Sequence, residues 1–202
     1  MSWFYERFTR QSEKNGLIDC RRVFGQWTVW VDGYSQTGDF NTRMFVDAFK
    51  RLPASSLVKR ALVLGLGGGC VIELLHVRFP GVDVTVIEWD PVMVEIAQRI
   101  QLFSPTHTPH ILVGDALEVL PTLTQPFDLI VFDLYTGQDI SPLVFLAPFL
   151  SALKQVSHSK TLLLMNAFRS AELFPLLDDK FERLNTWRFE YNLLGLYRAS
   201  KR

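Results

Sequence analysis

The hydrophobic rhythm of the chain changes near residue 60. Before it, residues 17–37 alternate and are rich in β-formers: Ile18, Val23 and Phe24, then Trp27, Val29 and Val31. Gly25-Gln26 separates the two halves and Asp32-Gly33 closes the second, which predicts a β-hairpin followed by a turn. Residues 42–52 set Met44, Phe45, Ala48, Phe49 and Leu52 on one helical face, and Pro53 ends the helix. Beyond residue 60, short apolar runs alternate with helical stretches. Strands are expected at Ala61–Leu64, Val84–Ile87, Ile111–Val113, Phe127–Phe132 and Thr161–Met165. Helices are expected from the glycine cluster to Phe79, from Pro91 with Asp90 as N-cap, from Ala116, over Pro142–Val156 and near 171–182. Two last strands, near Trp187–Tyr191 and Leu193–Tyr197, meet at a tight junction at Asn192 and so pair antiparallel. Strands alternating with helices predict an α/β fold, a Rossmann-like sheet covered on both faces. The expected division is an extension over residues 1–55 and a Rossmann-like domain over 56–202.

Composition narrows the class. With 202 residues, 48% apolar and 21% charged, the chain holds one α/β domain and a modest extension, and is neither disordered nor coiled-coil. Cys20 and Cys70 make no disulfide framework, and no CxxC is present. The N-terminus lacks the apolar run of a signal peptide. The longest apolar run, Leu143 to Leu153, is broken by Pro148 and Ser151 and is too short to span a bilayer. A cytoplasmic protein without a membrane partner is expected. His107 and His110 lie close together, but no Cys, Asp or Glu of that stretch completes a ligand set, so no metal is expected.

Lys+Arg and Asp+Glu both number 21, so the net charge is zero and a uniformly basic nucleic-acid binder is excluded. The zero is unevenly built. Residues 61–150 hold two basic side chains, Arg78 and Arg99, against ten acidic ones, and the flanks on either side are basic.

Ligands of open α/β sheets bind beyond the carboxyl ends of the strands, so the residues following each strand are the candidates. Gly65, Gly67, Gly68 and Gly69 follow the first and permit close backbone approach before a helix N-terminus. Glu88 follows the second and suits the two hydroxyls of a ribose; Trp89 beside it packs or flanks an adenine. Asp115 follows the third, as a helix cap with Glu118 in a capping-box-like position and as a neighbour of adenine. Asp133, Tyr135, Gly137 and Asp139 follow the fourth, and Asn166 the fifth. Cys70 stands at the sixth position of the dinucleotide fingerprint where glycine is required. Glu88, Asp115 and Asp133 around one crevice, with Asp90 and Asp139 close by, repel a pyrophosphate and attract a cation. A sulfonium nucleoside, S-adenosylmethionine (SAM) or its decarboxylated form, therefore fits better than NAD.

From about residue 17 onward the chain resembles the spermidine synthase (polyamine aminopropyltransferase) family within the class I SAM-dependent methyltransferase superfamily. The likeness rests on Val31-Asp-Gly-Tyr-Ser-Gln36, the Gly65–Gly69 loop, Val86-Ile-Glu-Trp-Asp-Pro91, Val113-Gly-Asp-Ala116 and Phe127-Asp-Leu-Ile-Val-Phe-Asp133. The resemblance implies an adenosyl sulfonium donor, with Glu88 on the ribose, Asp115 and Ala116 at the adenine edge, and Gln36 on the nucleoside side. It implies Asp133 as the carboxylate that binds and deprotonates an attacking amine; placement at the same strand end adds Tyr135 or Asp139 as its assistant. It also implies a homodimer through the N-terminal region, whose aromatics include Trp3, Phe4, Tyr5, Trp27 and Trp30.

The chain departs from the family in its acceptor half. The family's glycine loop carries an Asp for the aminopropyl ammonium; here it reads Gly-Leu-Gly-Gly-Gly-Cys. Asp133 is followed by Leu134-Tyr135-Thr136-Gly137, without the second Asp of the amine-binding loop. Phe45 replaces a Tyr, the loop between the last two strands is cut to a tight turn, and the family's C-terminal helical tail is absent. Three readings stay open: aminopropyl or methyl transfer to a small amine, with a polyamine as one candidate; methyl transfer to an unrelated acceptor; and a catalytically inactive nucleoside-binding or dimerisation protein.

Overall fold

Two sheets of different kinds divide the chain in a computed structural model. It describes residues 4–54, 56–67, 69–136 and 139–199, with Thr136 and Asp139 described by their backbone alone. Trp3, Gly68, Gly137 and the Asp139 side chain, all singled out above, lie outside the described residues.

The first sheet is antiparallel, in the order β1 (Tyr5–Ser12), β2 (Gly16–Val23), β3 (Gln26–Val31) and β4 (Tyr34–Ser35). The expected hairpin is β2–β3. Its inward positions Ile18, Cys20, Val29 and Val31 pack on Met93, Ile96 and Ile100. Strand β1 is not foreseen from the pattern. It is an edge strand exposed over most of its length, so no apolar alternation marks it. Full antiparallel pairing to β2 holds it, from Tyr5 opposite Val23 to Ser12 opposite Gly16. Helix α1 (Asp39–Lys50) follows and buries Met44, Phe45, Ala48 and Phe49.

The second sheet is built from β5 (Arg60–Leu64), α2 (Cys70–Arg78), β6 (Asp83–Glu88), α3 (Pro91–Arg99), β7 (His110–Val113), α4 (Ala116–Val119) and β8 (Phe127–Phe132). A two-stranded ribbon of β9 (Tyr135–Thr136) and β10 (Asp139–Ile140) comes next. Then follow α5 (Ala147–Gln155), β11 (Ser157–Phe168), α6 (Leu173–Asp178), β12 (Phe181–Phe189) and β13 (Asn192–Ala199). The sheet order is β12-β13-β11-β8-β5-β6-β7. Every recorded pairing is parallel except those of β13, which runs antiparallel to both its neighbours. The central runs of β5, β8 and β11 (Ala61–Leu64, Leu129–Phe132 and Leu162–Met165) are wholly apolar and buried because both faces are covered. One face carries Leu62, Leu64, Phe132, Phe149 and Met165; the other carries Phe45, Val63, Ile72, Val131 and Leu164. No helix among the described residues is long and apolar enough to cross a membrane.

Three expectations need correcting. Pro142–Val156 is not one helix: a 3-10 turn over Pro142–Phe145 ends at Leu146, which is extended, before α5 begins. Pro148 causes the break, since it has no N–H for the carbonyl of Val144. The helix near 171–182 shrinks to α6, because β12 starts already at Phe181. The last turn consists of Glu190 and Tyr191, with Glu190 at a φ of 51°, and Asn192 is the first residue of β13.

After β5 the chain moves to β6 on one side and later returns to β8 on the other. The ends of β5 and β8 therefore flank the point where the strand order reverses, and a crevice opens there.

Candidate active site

Gly65 and Asp133 leave adjacent strands at this reversal. The Gly65 N–H donates to the Ile87 carbonyl at 2.9 Å, and the Asp133 N–H to the Leu64 carbonyl at 3.0 Å. Gly65 has a φ of +90°, and a Cβ there would stand 2.4 Å from the Asp133 carbonyl oxygen, so only glycine fits. Gly67, at +49°, would direct a Cβ into the space between the Gln36 carbonyl and Asp133 Oδ2, 3.7 and 3.8 Å away. Gly69 stands apart from them. It is the N-cap of α2, and a Cβ there would meet Leu102 at 3.2 Å.

Three adjoining cavities fill the crevice. The first, about 270 Å³, lies between Trp89, Asp115 and Ala116 on one side and Leu134, Tyr135 and Pro142 on the other. A narrow one of about 50 Å³ joins Gln36, Gly65, Gly67, Glu88, Trp89 and Asp133. The third, about 150 Å³, is walled by Tyr34, Phe40, Tyr135, Phe168 and Tyr191, with Asp133, Asn166 and Asn192 supplying polar atoms. The candidate residues Gln36, Gly65, Gly67, Glu88, Trp89, Asp115, Ala116, Asp133 and Tyr135 thus line one continuous crevice.

The acids around it differ sharply in how well they are satisfied. Glu88 accepts from the Leu66 N–H at 2.8 Å and the Asp90 N–H at 2.9 Å. Burial raises its pKa, and these bonds oppose the rise. Asp90, fully buried, caps α3 through the Val92 N–H and accepts from Ser12 Oγ and Asn15 Nδ2, both at 2.6 Å. It therefore ties the β1–β2 turn to the sheet and does not face the crevice as a free acid. Asp115 caps α4 through the Leu117 N–H at 2.7 Å. Among the described residues, the Asp133 side chain has one hydrogen-bond partner, Asn166 Nδ2 at 2.9 Å. Burial raises its pKa to about 6, against the opposing pull of that bond.

Asn166 is itself fixed in orientation. Its Oδ1 accepts from Asn192 Nδ2 at 3.0 Å and from the Phe168 N–H at 3.2 Å, which leaves its NH₂ for Asp133. The Tyr135 hydroxyl donates to the Asn166 carbonyl at 3.4 Å, and burial together with the Asp133 charge raises its pKa well above the ordinary value. Tyr135 is a hydroxyl donor here, not a base.

Sequence reasoning passed over several residues of the third cavity. Asn166 is not one of them, since it stands among the strand-end candidates on the same signal as Asp133, a polar residue ending an apolar strand. Phe40, Phe168 and Asn192 carried none, since they come from three separate elements. The turn expected only to be tight contributes Tyr191 to the wall. Away from the crevice, His107 pairs with Glu73 at 2.9 Å and stacks on His76. No group of three or more His, Cys, Asp or Glu that could hold a metal occurs among the described residues.

No protein-family model matches the chain. A polyamine aminopropyltransferase of Vibrio vulnificus is 32% identical over 119 residues, 57% of this chain and 40% of the relative. An eEF1A lysine and N-terminal methyltransferase homolog of Drosophila melanogaster is 30% identical over 123 residues, 56% of this chain and 18% of the relative. The matches therefore take in less than half of either relative's length. Among solved structures, a probable spermidine synthase from Corynebacterium glutamicum superposes with a TM-score of 0.71 at 19% identity, covering 96% of this chain and 80% of that one. Human methyltransferase-like protein 13, in complex with SAH, superposes with a TM-score of 0.64 at 22% identity, covering 81% and 83%. The chain thus has the Rossmann-like fold of the class I SAM-dependent methyltransferases, and its sequence relatives are named for aminopropyl transfer and for lysine and N-terminal methylation.

Proposed function

We propose that the chain transfers an alkyl group from an adenosyl sulfonium, SAM or its decarboxylated form, to an amine. The observation that carries this reading is Asp133: a carboxylate with one hydrogen-bond partner among the described residues, at the junction of the glycine turn and an aromatic cavity. The crevice fits a nucleoside. Gly67 keeps a Cβ out of the space beside Gln36 and Asp133, Ala116 keeps the wall of the first cavity low, and Glu88 retains lone pairs beyond its two backbone bonds for ribose hydroxyls.

A bound sulfonium supplies a carbon whose bond to sulfur breaks with the electron pair staying on sulfur. The nitrogen lone pair of the acceptor forms the new bond to that carbon. Asp133 orients the amine, takes the proton that the nitrogen must lose and passes it to water. A carboxylate with a pKa of about 6 is ionised at neutral pH and is a better base than an exposed one. The Tyr135 hydroxyl and Asn166 hold the floor of the acceptor cavity.

The glycine turn carries no acid for an aminopropyl ammonium, which supports methyl transfer from intact SAM. Calorimetric titration with SAM, decarboxylated SAM, methylthioadenosine and NAD tests the reading. Binding of the adenosyl compounds is expected, and binding of NAD alone overturns the proposal. Tighter binding of decarboxylated than of intact SAM assigns aminopropyl transfer instead.

A further inference from the structure

The aromatic cavity has an acid at its floor, and an exposed cation lies against two of the rings that wall it. Asp133 stands at the floor, beside the glycine turn and Asn166. In the wall, Phe40 stacks on Tyr191 with centroids 4.9 Å apart, and Phe168 meets Tyr191 edge-on at 5.9 Å. Arg169 is exposed and does not itself line the cavity, but its guanidinium stands 5.0 Å from the Phe168 centroid and 5.8 Å from that of Tyr191.

Two acids adjoin the same rings in sequence, Asp39 before Phe40 and Glu190 before Tyr191. Arg43 holds both, at 2.9 and 3.7 Å. Among the described residues, neither Asp133 nor Arg169 has a salt-bridge partner. The backbone here is itself unusual. Phe168 has a φ of 50°, at a bulge where β11 loses register with β13. A bulky residue in that region is strained and persists only where its surroundings hold it. The Asn166 side chain does so by accepting the Phe168 N–H.

We propose that the acceptor is zwitterionic: a primary amine on an apolar stem that ends in an anion, its ammonium received by Asp133 and its anion by Arg169. The inference rests on the amine-acceptor reading above and deepens it. The rings take the apolar stem and favour a cation near their faces. A second ammonium, as in a diamine, would approach Arg169 and meet like charge. Arg169 is then the residue that selects against polyamines, while Asp133 serves any amine.

The test uses three probes of matched length, δ-aminovalerate, pentylamine and cadaverine, titrated into the full chain with methylthioadenosine present. The zwitterion is expected to bind tightest, pentylamine about fivefold weaker and cadaverine weaker again, with the spread shrinking as salt rises. Arg169→Glu is expected to reverse the order and leave methylthioadenosine affinity unchanged. Arg169→Gln, the milder variant, is expected to erase the preference for the zwitterion. Cadaverine binding as tightly as δ-aminovalerate, or an order unmoved by both variants, overturns the inference and leaves the amine reading standing. If methylthioadenosine binds and none of the probes does, the amine reading itself falls and takes the inference with it.

Discussion

Strand β8 has an aspartate near its amino end and another just past its carboxyl end, and the two are treated in opposite ways. Asp128 accepts from the Lys59 and Arg60 N–H groups at 2.8 and 3.0 Å and from His158 Nε2 at 2.9 Å. Burial would raise its pKa, but these bonds outweigh burial and hold it below the ordinary value. Asp133 has Asn166 as its one side-chain partner among the described residues, and burial raises it to about 6. A concavity of about 730 Å³ adjoins Asp128, larger than any of the three around Asp133. Volume therefore does not mark the end of this sheet proposed for chemistry. What marks it is a carboxylate left short of partners, because such a group is poised to accept a proton, whereas a saturated one serves the fold.

The largest effect that would break this contrast is on turnover. Asp133→Asn is expected to lower kcat/KM by about a hundredfold or more, since it removes the proton acceptor, while Asp128→Asn leaves it within about twofold. Equal losses in a steady-state assay would erase the distinction. Stability should separate the same pair in the other direction. Asp128→Ala is expected to cost about 2 kcal/mol in urea unfolding at neutral pH, because it orphans two backbone N–H groups and His158. A carboxylate of depressed pKa stabilises above its unfolded value near 3.8, so this cost should fade as pH drops below 4.

Asp133 has the opposite sign. Its raised pKa means that ionisation in the folded chain costs free energy, beginning above the unfolded value near 3.8 and complete above about 6. Asp133→Asn should therefore stabilise the chain by about 1–2 kcal/mol at pH 8 and by nothing near pH 3, read by unfolding at the two values. The smallest effect is a refinement. Asn166→Ala removes the bond that lowers the Asp133 pKa, and should move the acid limb of the kcat/KM profile upward from about 6 by about half a unit.

The residues on the glycine-turn side of the crevice were largely legible from residue order alone. Glycines after one strand, an acid after the next and an Asp-Ala pair after the third are local signals, because a strand end fixes where its next residue points. The aromatic side was not. Phe40, Phe168, Tyr191 and Asn192 come from a helix, a bulged strand end, a turn and a last strand, and no periodicity links them. Strand β1 escaped for a related reason, since an exposed edge strand has no buried face to impose alternation. Pro148 was visible, but its effect was underweighted: it both ends a 3-10 turn and starts a helix.

The acidic middle of the chain shows where the boundary lies. The sequence by itself determined that β-strands would alternate with helices and that acids would gather at the strand ends. It also carried the local caps, Asp90 on Val92 and Asp115 on Leu117, because those donors lie two residues away. Only the tertiary structure decided which acids would be otherwise occupied. Glu88 takes the Leu66 N–H across a neighbouring strand end, Asp90 takes Ser12 and Asn15 from the far N-terminal turn, and Asp133 takes Asn166, its one partner among the described residues. The field of a buried carboxylate depends on donors that folding brings to it from distant positions, and sequence spacing does not carry those distances.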